Sequence, residues 1–367
     1  MSRNIRRLLF LAALLLAPAV SAQQSAAPTE PRNGRIYLDV VVTQKSGPPV
    51  SDLQQQDFTI LDNKVPQTIT SFQAVDGRQA PIEVVVVVDA VNADYHTVAY
   101  ERDQIDKFLR TEGGDLAHST ALAVLTDTGV QTVGDFSKDG NKLSASLDQY
   151  TVALRFLRRG AGFYAAAERF QVSLDGLHEL VEREASLPGR KIMIWISPGW
   201  PLLSGPEVQL DTKEQQQLFA DIVDFSTDLL RDRITLYNID PLGTGEGLDR
   251  ALYWQSFVNG ISKPSQVTAG NLGLQVLATQ SGGLVFTASN NITALLQNCL
   301  ADARAYYKLS FDPPTGERSN EHHHLEIRIA QHGLTARTHE GYYSRPELGW
   351  RPVIPTPVDT GSRLAPD

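Results

Sequence analysis

Among 367 residues there is a single cysteine, Cys299. One thiol closes no internal disulfide and excludes every multi-cysteine metal site. Basic residues are also in short supply, with 33 Lys and Arg against 42 Asp and Glu and a net charge of −9. No cationic surplus exists to release counterions from a phosphate backbone, so nucleic acid is not an expected partner. No apolar run reaches the roughly 20 residues of a membrane-spanning helix. What is present is an ordinary globular balance, 42% hydrophobic and 20% charged residues, enough to fill a core.

The longest apolar stretch lies at the N-terminus. Arg3, Arg6 and Arg7 precede a run from Leu8 to Val20, which ends in Val20-Ser21-Ala22. A basic start, a short apolar run and small residues at the cleavage point form the pattern of a signal peptide over residues 1–22. The run is too short to span a bilayer, so no stable membrane span is expected after cleavage. No cysteine follows the cleavage point, which excludes a lipoprotein anchor. Cleavage removes three arginines and no acid, leaving 30 basic against 42 acidic residues, a net charge of −12. The expected location is outside the cytoplasm: periplasm, cell surface or medium.

Hydrophobic periodicity then divides the chain. Residues 33–76 read as an N-terminal β segment. Ile36, Leu38, Val40 and Val42 alternate with their neighbours, and two short strands, Phe58–Leu61 and Thr68–Phe72, flank Asp62-Asn63-Lys64. From 81 to 303 strands and helices alternate. Val84–Val88 is an unbroken β-branched run, the signature of a strand covered on both faces. Helical spacing follows over Tyr100–Arg110, Leu143–Tyr150, Phe163–Glu184 and Leu218–Leu229, with further buried strands at Lys191–Ile196 and Ile234–Ile239. This grammar predicts an α/β fold with a doubly wound, mostly parallel sheet. Residues 304–343 return to strands and are expected to pack with 33–76, since each segment is small alone. Residues 344–367 are proline-rich and read as a tail.

Sheets of this kind place binding sites at the carboxyl ends of their strands, here Asp89, Ser197 and Asp240. Several segments around those ends occur in a familiar order. They are Val40-Val41-Val42-Thr43 with Asp57-Phe58, Val88-Asp89-Ala90-Val91-Asn92, Pro188-Gly189-Arg190-Lys191 leading to Ser197-Pro198-Gly199, Ile234–Pro241, Gly282-Gly283, and Tyr306-Tyr307 with Gly341-Tyr342-Tyr343. In order and spacing the chain resembles the bacterial VWFA-related domain family of acidobacterial type, over about residues 36–343. The resemblance implies a von Willebrand A-like sheet flanked by β segments and carries no known reaction with it.

Many A domains hold a divalent cation in an adhesion site reading Asp-x-Ser-x-Ser, with a threonine and an aspartate on two further loops. Hard oxygen ligands of that kind suit Mg²⁺ or Mn²⁺. Here Asp89 remains, but Val91 and Ala93 replace the serines, Ala161 the threonine and Pro198 the aspartate. With one of five ligands left, no metal and no cofactor are expected; the alternative is a rearranged site in which Asn92, Asp94 and Ser197 supply oxygens. His322-His323-His324 invites a zinc reading but lacks an evident third ligand, so exposed histidines are expected there. His178-Glu179-Leu180-Val181-Glu182 lacks the second histidine of a zincin helix, Ser197 lacks the glycines of a nucleophile elbow, and Gly243–Gly247 lacks the lysine of a phosphate loop. Cys299 shares helical spacing with Leu295 and Leu296 and reads as core.

The expected function is non-catalytic binding of a protein or peptide through strand-top loops around Asp89, Asn92, Ser197, Trp200 and Asp240. Two alternatives stand beside it: a divergent hydrolase at the same strand tops, with a histidine such as His96 serving Ser197, or an envelope scaffold that docks partners by edge-strand pairing.

Overall fold

The computed structural model describes residues 34–45, 47–149, 162–201, 203, 210–243, 252–314 and 318–345. The expected signal peptide, the loop 159–161, Leu202, the glycine-rich 244–247 and nearly all of the tail lie outside them. Residues Gly34–Trp350 form one compact unit.

The fold is mixed α/β, with a six-stranded, mostly parallel sheet and two separate four-stranded sheets. In chain order the strands are β1 (Ile36–Gln44), β2 (Phe58–Asp62), β3 (Val65–Gln67), β4 (Ile69–Asp76), β5 (Ile82–Asp89), β6 (Asp115–Thr126), β7 (Gly129–Asp139), β8 (Arg190–Ile196), β9 (Ile234–Ile239), β10 (Val285–Phe286), β11 (Ala305–Phe311), β12 (His322–Ile329), β13 (Leu334–Arg337) and β14 (Gly341–Tyr343). The helices are α1 (Tyr95–Leu109), α2 (Gly140–Gln149), α3 (Phe163–Ala185), α4 (Thr212–Arg231), α5 (Leu274–Gln280) and α6 (Ile292–Ala301).

The large sheet runs β10-β9-β8-β5-β6-β7, with only the β6–β7 hairpin antiparallel. Its order reverses between β5 and β8, which opens a crevice at their carboxyl ends. The five valines of β5 explain its central place. Val85 and Val87 face a core shared with α3, α4 and α5, while Val84, Val86 and Val88 face one shared with α1, α2 and α6. All five are at most 2% exposed, so neither face tolerates a polar residue. Cys299 belongs to the second core, and burial pushes its thiol far above the usual range.

The two smaller sheets, β13-β1-β11-β4 and β14-β12-β2-β3, enclose a third core. Alternation along β1 divides its side chains between partners: Leu38, Val40 and Val42 enter this third core, whereas Val41 turns to the α1 side of the large sheet. Tyr306 and Tyr307 divide in the same way on β11. The segments 33–76 and 304–343 thus pair strand against strand, β1 with β11 and β13, and β2 with β12.

Three expectations need correction. The strand that follows Asp62-Asn63-Lys64 is not Thr68–Phe72 but β3, which pairs with β2, and the chain then changes sheet so that β4 pairs with β11. The positive φ of Asn63 and Lys64 (48° and 70°) makes the tight turn, and Thr68 is the crossing point. Helix α1 begins five residues before Tyr100, because the Asp94 side chain caps it by accepting from the Thr97 amide at 2.7 Å. The histidine run is not uniformly exposed. It opens β12, where pairing with β14 buries His323, half-buries His322 and leaves only His324 exposed. Among the described residues no helix is long and apolar enough to cross a membrane.

Candidate functional site

The crevice is built from the end of β5. Asp89 terminates that strand and is fully buried, and its carboxylate organises the loop that follows. One oxygen accepts from the backbone amides of Val91 (3.0 Å) and Asn92 (2.9 Å). The other accepts from Asn92 Nδ2 (2.9 Å), Ser197 Oγ (2.8 Å) and Trp195 Nε1 (3.3 Å). Burial pushes the Asp89 carboxyl above its ordinary value, and the bonds from Asn92, Ser197 and Trp195 pull it back. The carboxylate thereby ties the ends of β5 and β8 together. Asn92 extends the tie to α3, since its Nδ2 also donates to Ser173 Oγ at 2.9 Å.

Ser197 is equally committed. Its hydroxyl donates to Asp89 and accepts from the Gly199 amide at 3.1 Å. Gly199 has φ +102°, and a Cβ there would lie 2.3 Å from Gln275 Nε2, so only glycine fits this turn. Asn238 on β9 donates to the Ser197 carbonyl at 3.0 Å and fixes the same turn from the other side. Both hydrogen bonds of the Ser197 hydroxyl thus go to Asp89 and Gly199; neither goes to an imidazole.

The five residues expected to contact a partner do come together at this end of the sheet, but they are not a surface. Asp89 and Ser197 are 0% exposed and Trp200 only 4%. Trp200 packs edge-on against Trp195, ring centroids 5.6 Å apart, within the α3–α4 core. The expectation that these three touch a partner is corrected: they are the floor of the crevice. Asn92 and Asp240 are half-buried, and Asp240 accepts from the Leu242 amide at 2.9 Å.

The residues do not fit the adhesion-type metal. Every acceptor position of Asp89 is spent within its own loop and strand neighbours, and Val91, Ala93 and Pro198 offer no side-chain oxygen. Among the described residues no group of three His, Cys, Asp or Glu could hold a metal ion. Ala161 lies outside them.

Two features escaped the sequence reading. The first is Glu101 on α1, fully buried, with neither carboxylate oxygen bonded to a protein donor. Burial pushes its carboxyl well up, and the charges that reach it, Asp89, Asp240 and Asp94, all push the same way. The signal was available. Val98, Glu101, Ile105 and Phe108 follow helical spacing, which puts an acid on the apolar stripe. The second is the rim. Six large hydrophobic residues are exposed among the described ones, and four of them, all aromatic, sit on two helices that rise from this end of the sheet. Tyr95 (58%) and Tyr100 lie in the first two turns of α1, Phe163 and Tyr164 (88%) in the first turn of α3. The bond from Asn92 to Ser173 fixes α3 so that Phe163 and Tyr164, more than two turns earlier, stand beyond the loop.

No family model matches the chain, and no curated protein does. Solved structures give likenesses. The PilB minor pilin from Streptococcus sanguinis aligns over 62% of this chain and 62% of its own, at 10% identity and a TM-score of 0.39. The conserved hypothetical protein BatB from Bacteroides thetaiotaomicron aligns over 60% of this chain and 98% of its own, at 11% identity and a TM-score of 0.30. The human COPII-coat protein Sec24c aligns over 80% and 50%, at 11% identity and a TM-score of 0.34. The chain thus spans less than two thirds of the pilin it matches. At such scores and identities none of these likenesses bears on function.

Proposed function

We propose that this chain is an exported, non-catalytic binding module of von Willebrand A-like type, which holds a protein or peptide at the carboxyl ends of its large sheet. One observation carries the reading: the exposed aromatics Tyr95 and Tyr100 on α1, and Phe163 and Tyr164 on α3, stand in the first turns of two helices that flank the strand ends, whose floor is locked by hydrogen bonds. Exposed aromatic rings on a rigid support are the anchors that protein interfaces use, because a large apolar area is buried at little entropic cost. The Asp89–Asn92–Ser197 network holds the floor in place, and the rim makes the contact.

The test is to select peptides that bind the full chain, then measure their affinity for substituted chains. Tyr164→Ala and Tyr95→Ala are each expected to weaken binding tenfold or more and to change stability by less than about 0.5 kcal/mol. Val65→Ala, at an exposed residue on β3, serves as the control. Peptides that ignore both tyrosines and respond to Val65 would refute the site. Export predicts that the chain recovered outside the cytoplasm begins at Gln23.

A second reading has its own observation. Strand β4 pairs only with β11 among the described strands, and Ile69–Val75 carries no charge and no proline to guard that edge. A scaffold role by strand addition predicts that β4 amides gain hydrogen-exchange protection when a partner binds.

A further inference from the structure

A cavity of about 190 Å³ opens where β12 and β14 meet the loop 258–260, α4 and the end of α5. None of the strand-top residues lines it. Its walls are fixed by backbone. Gln280 Nε2 donates to the Val258 carbonyl (2.8 Å), and Tyr343 Oη donates to the Ile261 carbonyl (2.9 Å), so the loop is clipped at both ends. Glu340 is held between α5 and β12, its amide donating to the Gln280 carbonyl (2.9 Å) and its carbonyl accepting from the Leu325 amide (2.8 Å).

The side chains facing this space include one carboxylate, imidazoles, a phenol ring and neutral polar groups. Burial holds the Glu340 carboxyl up at about 7, and no lysine or arginine among the described residues stands against it. Burial, with His324 and His323 beside it, holds the His322 imidazole down at about 4, so it is neutral at physiological pH and presents an acceptor nitrogen. The ring of His322 is seated where Gly260 and Gly341 lack a side chain: a Cβ would come within 2.0 Å and 2.6 Å of its Nε2. It also packs edge-on against Tyr343, centroids 5.0 Å apart. Burial pushes the Tyr343 phenol to about 12, so it too stays neutral. The α4, loop and α5 walls add Ser226, Asn259 and Gln280, the exposed His324 completes the β12 wall, and among the described residues no lysine or arginine lines the cavity.

A carboxylate, a neutral imidazole and an aromatic ring converging on a space that no described lysine or arginine enters match one chemistry. We propose that this cavity binds a primary ammonium group, supplied either by a small free amine or by a lysine side chain. The ammonium has three donors, which the Glu340 carboxylate, the His322 nitrogen and a wall oxygen accept, while the Tyr343 ring borders the attached carbon chain. Several water molecules' worth of space admits a short alkyl amine.

The test follows the His322 ring resonances of the full chain by NMR during titration with butylamine, with butan-1-ol as the uncharged control. Butylamine binds and butanol does not. Affinity rises roughly 20-fold from pH 5.5 to 7.5 as Glu340 ionises, measured in a His324→Gln background so that the second imidazole of the lining is absent, because His322 and Tyr343 do not titrate in that range. Glu340→Gln, isosteric and without a bond to lose, weakens binding at least tenfold and removes the pH dependence. Gly260→Ala displaces the imidazole and weakens binding in a chain that keeps Glu340. A second arm with N-acetyl-lysine amide separates the sources: a response equal to that of butylamine assigns the site to protein lysines, and silence there assigns it to free amines. Equal binding of butanol and butylamine overturns the proposal. So does binding that neither pH nor Glu340→Gln alters, or one-to-one binding of Zn²⁺ with no response to either amine.

Discussion

The two ends of the large sheet are built on opposite electrostatic plans. At the amino ends, cations and carboxylates alternate in space. Arg233 pairs with Asp39 at 2.7 Å, Arg337 with Asp302 at 2.6 Å, and Tyr237 donates to the same Asp302 at 2.7 Å. Arg190, 1% exposed, donates to the Asp302 carbonyl and lies 4.8 Å over the Tyr306 ring. These contacts join β1, β11 and β13 of the small sheets to β8 and β9 of the large one. At the carboxyl ends the fields reaching Glu101 come from Asp89, Asp240 and Asp94, acids all, and Asp89 is held by neutral donors. The first end spends its charges on holding the molecule together. The second buries Glu101 in the field of other carboxylates, with neither of its oxygens bonded, an arrangement that stability alone does not favour.

The largest test of that contrast is Asp302→Ala. It leaves Arg337 without its carboxylate and Tyr237 without its acceptor, and should cost about 3–5 kcal/mol in urea denaturation. A loss below 1 kcal/mol would mean the amino-end network is ornamental. His339, buried in the same network, gives the next effect. Burial holds its imidazole at about 4, whereas the unfolded chain titrates near 6.5. Above pH 6.5 neither state binds the proton. Between 6.5 and 4 only the unfolded state does, so stability falls as pH drops, by roughly 3 kcal/mol in full. His339→Gln should flatten that part of the curve relative to its parent. The variant is compared with its parent because Glu340, held near 7, acts with the opposite sign as pH rises from 4.5 to 7.

At the carboxyl ends the effects are smaller and differ in sign. Asp89→Ala strands the amides of Val91 and Asn92 and should cost about 2–3 kcal/mol. Glu101→Gln should stabilise. A raised carboxyl contributes stability at low pH that is lost as pH rises above the ordinary carboxylate range, so the gain grows with pH. Thermal melting at pH 5 and pH 8 should show a rise of a few °C, larger at pH 8, on the order of 1 kcal/mol. A glutamine that destabilises at both values would show Glu101 to be structural and erase the difference between the two ends.

Much of this architecture is legible in residues alone. Five consecutive valines announce a strand covered on both faces, and the alternation with helices around it makes that strand central and parallel. The three strand ends Asp89, Ser197 and Asp240 follow from the same alternation of strand and helix. What escapes is pairing. Alternation in Thr68–Phe72 says that a strand exists and not which sheet receives it, so the switch after β3 could not be read. Burial escapes for the same reason. Ser197 and Trp200 follow a buried strand, and only the helices packed beyond it decide that they are floor and not surface. Glu101 was readable in principle, but the helix phase becomes clear only once Val98 is included, and that required seeing Asp94 as its cap.

The pairing of β1 with β11 also sets an order of events. The two strands stand about 270 positions apart in the chain and lie side by side in one sheet. While the polypeptide is being made, β1 emerges early and must wait for nearly everything else before it meets its neighbour. Long-range strand pairing of this kind is slow and leaves edges open to the wrong company. The large sheet, whose contacts are nearer in sequence, can close first and offer Val41 a surface to rest on. The small sheets then act as a clasp that the last-made strands fasten, so a chain cut short before Ala305 would carry β1 without its β11 partner and be marked for removal or aggregation.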